Sequence, residues 1–375
     1  MRPLSDTISR LSRMRKQASS VDRIFTDRLF ELRDFGSDPG ALRGWLHVPK
    51  GLQKHAPLVV VLHGCTQTAA SYDQGAGWSQ MADRLGFAVL FPEQKRANNP
   101  NLCFNWFNPG DTRRGFGEAL SIRQMIETAQ RSLGTDPAKV FVTGLSAGGA
   151  MANVMLATYP EVFAGGAIIA GLPYGSANSV REAFDRMRGH GAPDEASLVG
   201  LARAASEHAG PWPRVSIWQG SSDATVHPAN AAAIAAQWRG LHETGPPAVT
   251  QVRTGCRSTW RDASGREVVE RFDIPGLGHG TPLKTSGEES CGSPGPFMLE
   301  AGISSTVEIC RFWNLFDERR DVGAAAPHDP VEPAGEHLPA VRQPALQRLA
   351  PMAPAGPSQV SEIIEDALRK AGLMQ

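Results

Sequence analysis

A chain of 375 residues, 41% of them hydrophobic, is long enough to bury one large α/β core with a tail, or two smaller domains. Its 38 basic and 38 acidic side chains cancel to a formal net charge of zero, which speaks against the dominant basic field of a nucleic-acid-binding protein. Five cysteines and ten histidines are scattered with no C-x-x-C pair and no H-E-x-x-H, so no zinc site is expected, and no apolar run reaches transmembrane length.

Met1–Ser20 lacks the continuous apolar core of a secretory signal and reads as a short basic amphipathic helix. Leu4, Ile8, Leu11 and Met14 share one face, and Arg10, Arg13, Arg15 and Lys16 crowd the rest. Such a helix is either an ordinary surface helix or a contact for an anionic or hydrophobic surface. The alternating stretch Ala41–Val48 reads as an edge strand. Leu58–Leu62 is a continuous β-branched run of the kind found in a central parallel strand covered on both faces, and it ends in His63-Gly64-Cys65-Thr66-Gln67. A helix through Trp78, Met81 and Leu85 follows, then a buried strand Phe87–Phe91 closed by Pro92. The irregular Asn98–Gly117 loop, rich in Asn, Pro and aromatics, has the length of a functional loop. A helix over Glu118–Leu133 leads to the strand Val140-Phe141-Val142, and Ala167–Ala170 is the next strand. Residues 176–212 are weakly patterned and read as a small cap or a helical excursion. The strand Val215–Gln219 runs into Gly220-Ser221-Ser222-Asp223, a helix spans Ala229–Leu241, and two short strands flank the turn Asp262-Ala263-Ser264-Gly265. The second of these leads to Gly276-Leu277-Gly278-His279-Gly280, and a last helix covers Ser305–Phe316. Strands alternating with helices predict an α/β fold with a doubly wound, mostly parallel sheet, whose ligands sit at the carboxyl ends of the strands.

The catalytic signal is Gly144-Leu145-Ser146-Ala147-Gly148-Gly149, directly after a buried strand and before the helix formers Ala150–Ala157. It is a G-x-S-x-G nucleophile elbow in the strand–turn–helix setting the motif requires; in a Gly- and Ser-rich loop the same letters would mean little. A serine hydroxyl needs a base, and the base needs a partner to hold its tautomer. The order Ser, Asp, His places these roles on Ser146, Asp223 and His279, each just beyond a predicted strand. His227 is a rival base, His63 reads as structural, and Asp262 and Asp273 are rival acids that belong to the hairpin. The oxyanion hole is assigned to the backbone N–H groups of Ala147 and Cys65, with Gly64 allowing a tight backbone turn.

From Gly323 to Ser358, eight recurring prolines among Ala, Arg and Gln read as an extended linker. Beyond it, Ser361–Leu373 reads as either a short amphipathic helix or a frayed tail. The expected organisation is a lead-in over 1–39, a catalytic domain over 40–320, the linker over 323–358 and a short helix over 359–375.

The motifs His63–Gln67, Cys103-Phe104-Asn105-Trp106-Phe107 with Pro109-Gly110-Asp111 and Arg113-Arg114-Gly115, and Gly144–Gly149 resemble the poly(3-hydroxybutyrate) depolymerase family of esterases, which includes feruloyl and acetylxylan esterases. Gly171–Gly175, Val226-His227-Pro228-Ala229-Asn230 after Asp223, and Gly278-His279-Gly280 extend the likeness over about residues 40–318. The resemblance implies an α/β-hydrolase fold, hydrolysis of carboxylic esters, no cofactor, and the triad assigned above. Family members are often secreted, so an extracellular home is implied, whereas the absence of a recognisable signal leaves a cytoplasmic one open. No polymer-binding module is recognised after the linker, which favours soluble oligomers or small esters over crystalline polymer. Cys65 and Cys103 occur together in the family motifs, and read either as a disulfide closing a loop of about 38 residues or as two buried thiols in a reducing compartment. Cys256 and Cys291 are a candidate second pair, leaving Cys310 free. Trp106, Phe104 and Phe107 are candidate walls of the substrate pocket or anchors of their loop. Asp111, Arg113 and Arg114 are read as tying that loop together, and Ser286–Gly302 matches no motif. The leading function is a serine carboxylesterase acting on hydroxyalkanoate esters. A feruloyl or acetylxylan-type esterase is the alternative in the same class; a non-catalytic binder, a peptidase and an acyltransferase are those from other classes.

Overall fold

The computed structural model describes residues 28–316, so the expected N-terminal helix, the proline-rich linker and the C-terminal helix lie outside the described residues. The elements in chain order are β1 (Phe30–Leu32), β2 (Arg43–His47), β3 (Leu58–Leu62), α1 (Ala69–Ala76), α2 (Trp78–Leu85), β4 (Ala88–Glu93), α3 (Gly117–Leu133), β5 (Val140–Leu145), α4 (Ala147–Thr158), β6 (Gly165–Ile169), α5 (Val180–Met187), α6 (Glu195–Arg203), β7 (Arg214–Gly220), α7 (Ala229–Leu241), β8 (Ala248–Val252), β9 (Gly255–Arg261), β10 (Glu267–Ile274), β11 (Thr281–Leu283), β12 (Met298–Glu300) and α8 (Ser305–Phe312).

Every residue of β3 is buried, because both faces of this strand carry helices. Leu58, Val60 and Leu62 pack into one core with Ile122 and Met125 of α3, Met151 and Met155 of α4 and Trp238 of α7. Val59 and Val61 point the other way, into a second core with Tyr72 of α1, Trp78 and Met81 of α2 and Ile309 of α8. The two-residue period of the strand thus feeds two apolar layers, each buried Val or Leu side chain contributing about 1.5–3 kcal/mol. The sheet has ten strands in the order β1-β2-β4-β3-β5-β6-β7-β10-β9-β8. The six strands from β4 to β10 pair in parallel, and two antiparallel strands close each edge. This is the doubly wound sheet expected from the alternation of strands and helices.

Several local expectations change. The stretch expected to be an edge strand is β2, which is covered by the short β1. The single helix expected around Trp78 is two helices, broken at Gly77, whose φ of 76° is left-handed. Strand β4 continues through Pro92, expected to stop it. Its parallel pairing with β3 ends at Leu90, so the missing N–H of Pro92 removes nothing from that ladder. The second arm of the expected hairpin, β10, is an inner strand parallel to β7. The weakly patterned 176–212 region does form the helical excursion expected of it, as α5 and α6, each started by a side-chain cap, Ser179 and Asp194.

Candidate active site

Strand β5 delivers the chain to Ser146 at φ 57° and ψ −118°, and α4 leaves immediately after it. A non-glycine residue held at positive φ stores roughly 1–3 kcal/mol of strain, which the surroundings must over-determine. Here they do. The Ser146 N–H donates to Ile169 O at 2.9 Å. Gly144 and Gly148 let three backbones converge: a Cβ on Gly148 would lie 2.2 Å from Leu62 O, and one on Gly144 would lie 2.4 Å from the carbonyl carbon of Gly148. Neither position admits a side chain without moving β3 away from α4.

Asp223 follows β7 and is buried, and its carboxylate is saturated. The N–H groups of Thr225 and Val226 donate to Oδ1 at 2.9 and 2.8 Å. Gln219 Nε2 donates to Oδ2 at 3.1 Å, and His279 Nδ1 approaches the same oxygen at 2.8 Å. Facing a carboxylate oxygen, Nδ1 carries the ring proton, which leaves Nε2 as the lone-pair nitrogen. Gln219 was missed in the sequence. Its signal was an amide at the end of a mostly apolar strand, just before the Gly220–Asp223 turn. Its Nε2 also faces the carbonyls of Gly220 and Val226, so three acceptors set the amide's orientation. Its Oε1 is buried without a partner among the described residues.

His279 sits in the loop after β10, edge-on to Phe297 with ring centroids 6.1 Å apart. The Thr281 N–H donates to Phe297 O at 2.7 Å, and β11 pairs in parallel with β12. The segment Ser286–Gly302, which matched no motif, therefore supplies the frame that holds the histidine loop.

Cys65 and Cys103 form a disulfide, with Cα atoms 4.3 Å apart, that joins the loop after β3 to the aromatic loop. Cys65, Cys103, Ser146 and Ala147 border one cavity of about 70 Å³. Trp106 and Phe107 form one wall and Leu172 and Val226 another, and α5 lies over it. The N–H groups of Cys65 and Ala147 have no acceptor among the described residues, and α4 begins at Ala147 with its N-terminus toward the cavity wall.

The profile of the family described as Esterase PHB depolymerase matches residues 43–257, a span that holds Ser146 and Asp223 and ends before His279. A poly(3-hydroxyalkanoate) depolymerase C from Paucimonas lemoignei is 44% identical over 291 residues, 76% of this chain and 70% of that protein. An acetylxylan esterase from Coprinopsis cinerea is 32% identical over 262 residues, 68% of this chain and 70% of that protein. The chain belongs to the PHB depolymerase esterase family. It is a carboxylic ester hydrolase. The fold is also that of the acetyl xylan esterase from Aspergillus awamori, with a TM-score of 0.66 at 24% identity over 77% of this chain and 99% of that one.

The esterase's other candidate residues lie elsewhere or do other work. His227 is exposed, its backbone N–H donates to Met187 O at 2.7 Å, and its ring takes the Ala229 N–H at 3.2 Å. His63 is buried, with Nδ1 on Gly64 O at 2.8 Å and Nε2 accepting the Gln94 N–H at 3.1 Å; burial pushes its pKa down. Asp262 accepts from Ser264 and Arg266 in its turn, and Asp273 pairs with Arg271. Phe104 corrects an expectation: it is fully buried with its ring 5.0 Å from that of His63 and does not border the cavity. Trp106 and Phe107 reach the cavity from a turn of the loop, while Phe104 is turned into the core beside His63. The suggested Cys256–Cys291 pair is also overturned, since both thiols are free. Cys256 lies on β9 between Gln251 and Asp273, while Cys291 packs against the carbonyls of Ala76 and Gly77 at the α1–α2 break. Arg114 binds Thr158 O at 2.6 Å, Asn108 Nδ2 binds Asp111 at 2.7 Å and Arg113 binds Pro109 O at 3.0 Å, all ties within or beneath the loop.

A second buried group supports the same loop. Glu118 of α3 is fully buried and accepts the Asn105 N–H at 2.8 Å and Gln94 Nε2 at 2.5 Å. Burial drives its pKa up to about 8 against the pull of these two bonds, with Asp111 adding to the rise.

Proposed function

We propose that this esterase hydrolyses short hydroxyalkanoate esters by nucleophilic catalysis, with Ser146 as nucleophile, His279 as base and Asp223 as the group that orients and stabilises the base. The observation that carries this reading is the 2.8 Å contact of His279 Nδ1 with a buried, four-times-bonded Asp223, both at the carboxyl ends of parallel strands of the sheet whose β5 ends at a serine held at positive φ. His279 Nε2 takes the Ser146 hydroxyl proton as Oγ attacks the ester carbonyl. The carbonyl oxygen becomes an anion and is received by the N–H groups of Cys65 and Ala147, each worth about 3 kcal/mol in the transition state. As the tetrahedral species collapses, His279 returns the proton to the departing alcohol. Water then repeats the sequence on the acyl-enzyme and releases the acid.

The cavity wall is mostly apolar, with Leu172, Val226, Phe107 and the α5 side chains around Ser146, and suits a methyl-bearing aliphatic acyl unit. The preference for hydroxyalkanoates over acetylated sugar polymers rests on sequence similarity. The relative with 44% identity is a poly(3-hydroxyalkanoate) depolymerase. The test is hydrolysis of 3-hydroxybutyrate oligomers, acetylated xylan and feruloyl esters by the wild type and Ser146→Ala. A fluorophosphonate should label Ser146, and the variant should lose both labelling and turnover. Turnover within tenfold of wild type removes Ser146 as nucleophile, and higher kcat/KM on acetylated xylan than on the oligomers overturns the substrate assignment.

A further inference from the structure

The cavity beside Ser146 is bordered by the nucleophile and by both proposed oxyanion donors, Cys65 and Ala147, but not by His279. This asymmetry assigns its contents. The leaving alcohol must sit where His279 can protonate it, so it lies on the histidine side, and the cavity on the opposite side of the carbonyl holds the acyl group. At about 70 Å³ the cavity is small against ligand pockets of about 300–1,000 Å³.

What closes it is α5. Val180, Ala183, Phe184 and Met187 recur at i, i+3, i+4 and i+7 and all border the cavity, while Arg181, Glu182 and Asp185 fall on other sides of the helix. The helix is tied down at its C-terminal end. The His227 N–H donates to Met187 O at 2.7 Å, Asn230 Nδ2 donates to Arg186 O at 2.8 Å, and Arg186 Nε donates to Ser176 O at 2.9 Å. Two of these bonds come from the segment just after Asp223, so the roof is fastened to the same loop that carries the proposed triad acid.

We propose that α5 is the specificity element of this esterase: Phe184 and Met187 limit the acyl pocket to one short unit, so hydroxyalkanoate oligomers are cut one unit at a time from their hydroxyl end. The proposal rests on the catalytic reading above. A chain lying with its hydroxyl terminus in an acyl pocket that admits one unit places its first ester bond over Ser146, with the remaining chain leaving as the alcohol past His279. Hydrolysis adds one water across that bond and yields one hydroxy acid and an oligomer one unit shorter.

The experiment compares wild type with Phe184→Ala, Met187→Ala and the filling variant Ala183→Leu. Substrates are p-nitrophenyl esters of two to eight acyl carbons, acetate esters of varied alcohols, and a 3-hydroxybutyrate tetramer. Each methylene that fits or fails to fit an apolar pocket changes kcat/KM by about tenfold or more. The two truncations should raise the eight-carbon to four-carbon ratio by about tenfold, Ala183→Leu should lower the four-carbon to two-carbon ratio, and the alcohol series should keep its rank. The first products from the tetramer should be monomer and trimer. Equal dimers as first products, or variants that shift the alcohol series and leave the acyl series unchanged, would overturn the proposal. Because emptying and filling variants move the ratio in opposite directions, a loss of folding in one leaves the other decisive. Failure of the catalytic reading would show separately, as turnover surviving in Ser146→Ala.

Discussion

Reduction of the Cys65–Cys103 bond tests whether the loop it pins matters to both stability and turnover. The cysteines are 38 residues apart, and cross-linking a loop of that length removes enough denatured-state entropy to be worth about 4 kcal/mol in the chain-entropy treatment. At roughly 2 °C per kcal/mol for a domain of this size, the melting temperature should fall by about 8 °C. The bond also joins the residue proposed to supply an oxyanion N–H to the loop that bears Trp106, so kcat/KM should fall by about tenfold, less than the 10²–10³ lost with a whole oxyanion donor. Dithiothreitol is selective here, since Cys256, Cys291 and Cys310 are already free. Thermal melts and p-nitrophenyl butyrate kinetics of the oxidised protein, the reduced protein and the Cys65→Ser/Cys103→Ser double variant form the assay. Oxidised and reduced forms that melt within about 1 °C of each other would refute the entropic argument, and unchanged kcat/KM would refute the coupling to the site.

His279→Ala should cost nearly as much turnover as Ser146→Ala, whereas His227→Ala should stay within a few-fold of wild type, because His227 works through its backbone N–H; single-variant kinetics giving the reverse order would reassign the base. Gln219→Leu removes one donor from Asp223 Oδ2, so kcat should fall by about tenfold and the ascending limb of the pH–rate profile should move, while Gln219→Asn restores less than full activity; an unmoved limb would make Gln219 a packing residue only. Glu118 has its folded pKa raised to about 8, so the folded state holds a proton that the unfolded state has lost. Its contribution is complete at acid pH and declines as pH rises from about 5 through 8, at about 1.4 kcal/mol per pH unit, and Glu118→Gln should flatten that limb in melts recorded from pH 5 to 9.

The elbow, the central strands and the α/β class were legible in the sequence because each rests on short-range rules. β3 is buried on both faces and so reads as an unbroken apolar run, and Gly144, Ser146 and Gly148 sit within one turn of chain, where the sterics of a sharp strand-to-helix crossing are local. Likewise the helix over 229–241 carries its own period. Other features required the sheet. The neighbouring places of β7 and β10, with their parallel register, bring Asp223 within 2.8 Å of His279 across 56 residues. The same register leaves Asp262 and Asp273 paired elsewhere. The path of the irregular aromatic loop, which carries no period to read, turns Trp106 to the cavity and Phe104 to the core. Gln219 and the Phe297 frame act through contacts made only once β7, β10 and the β11–β12 pair are assembled. The sequence by itself determined the local geometry around Ser146 and the run of strands and helices. Tertiary structure decided which acid meets which histidine, which cysteines are bonded, and what roofs the cavity, because those distances depend on strand order and on faces that local periodicity cannot assign.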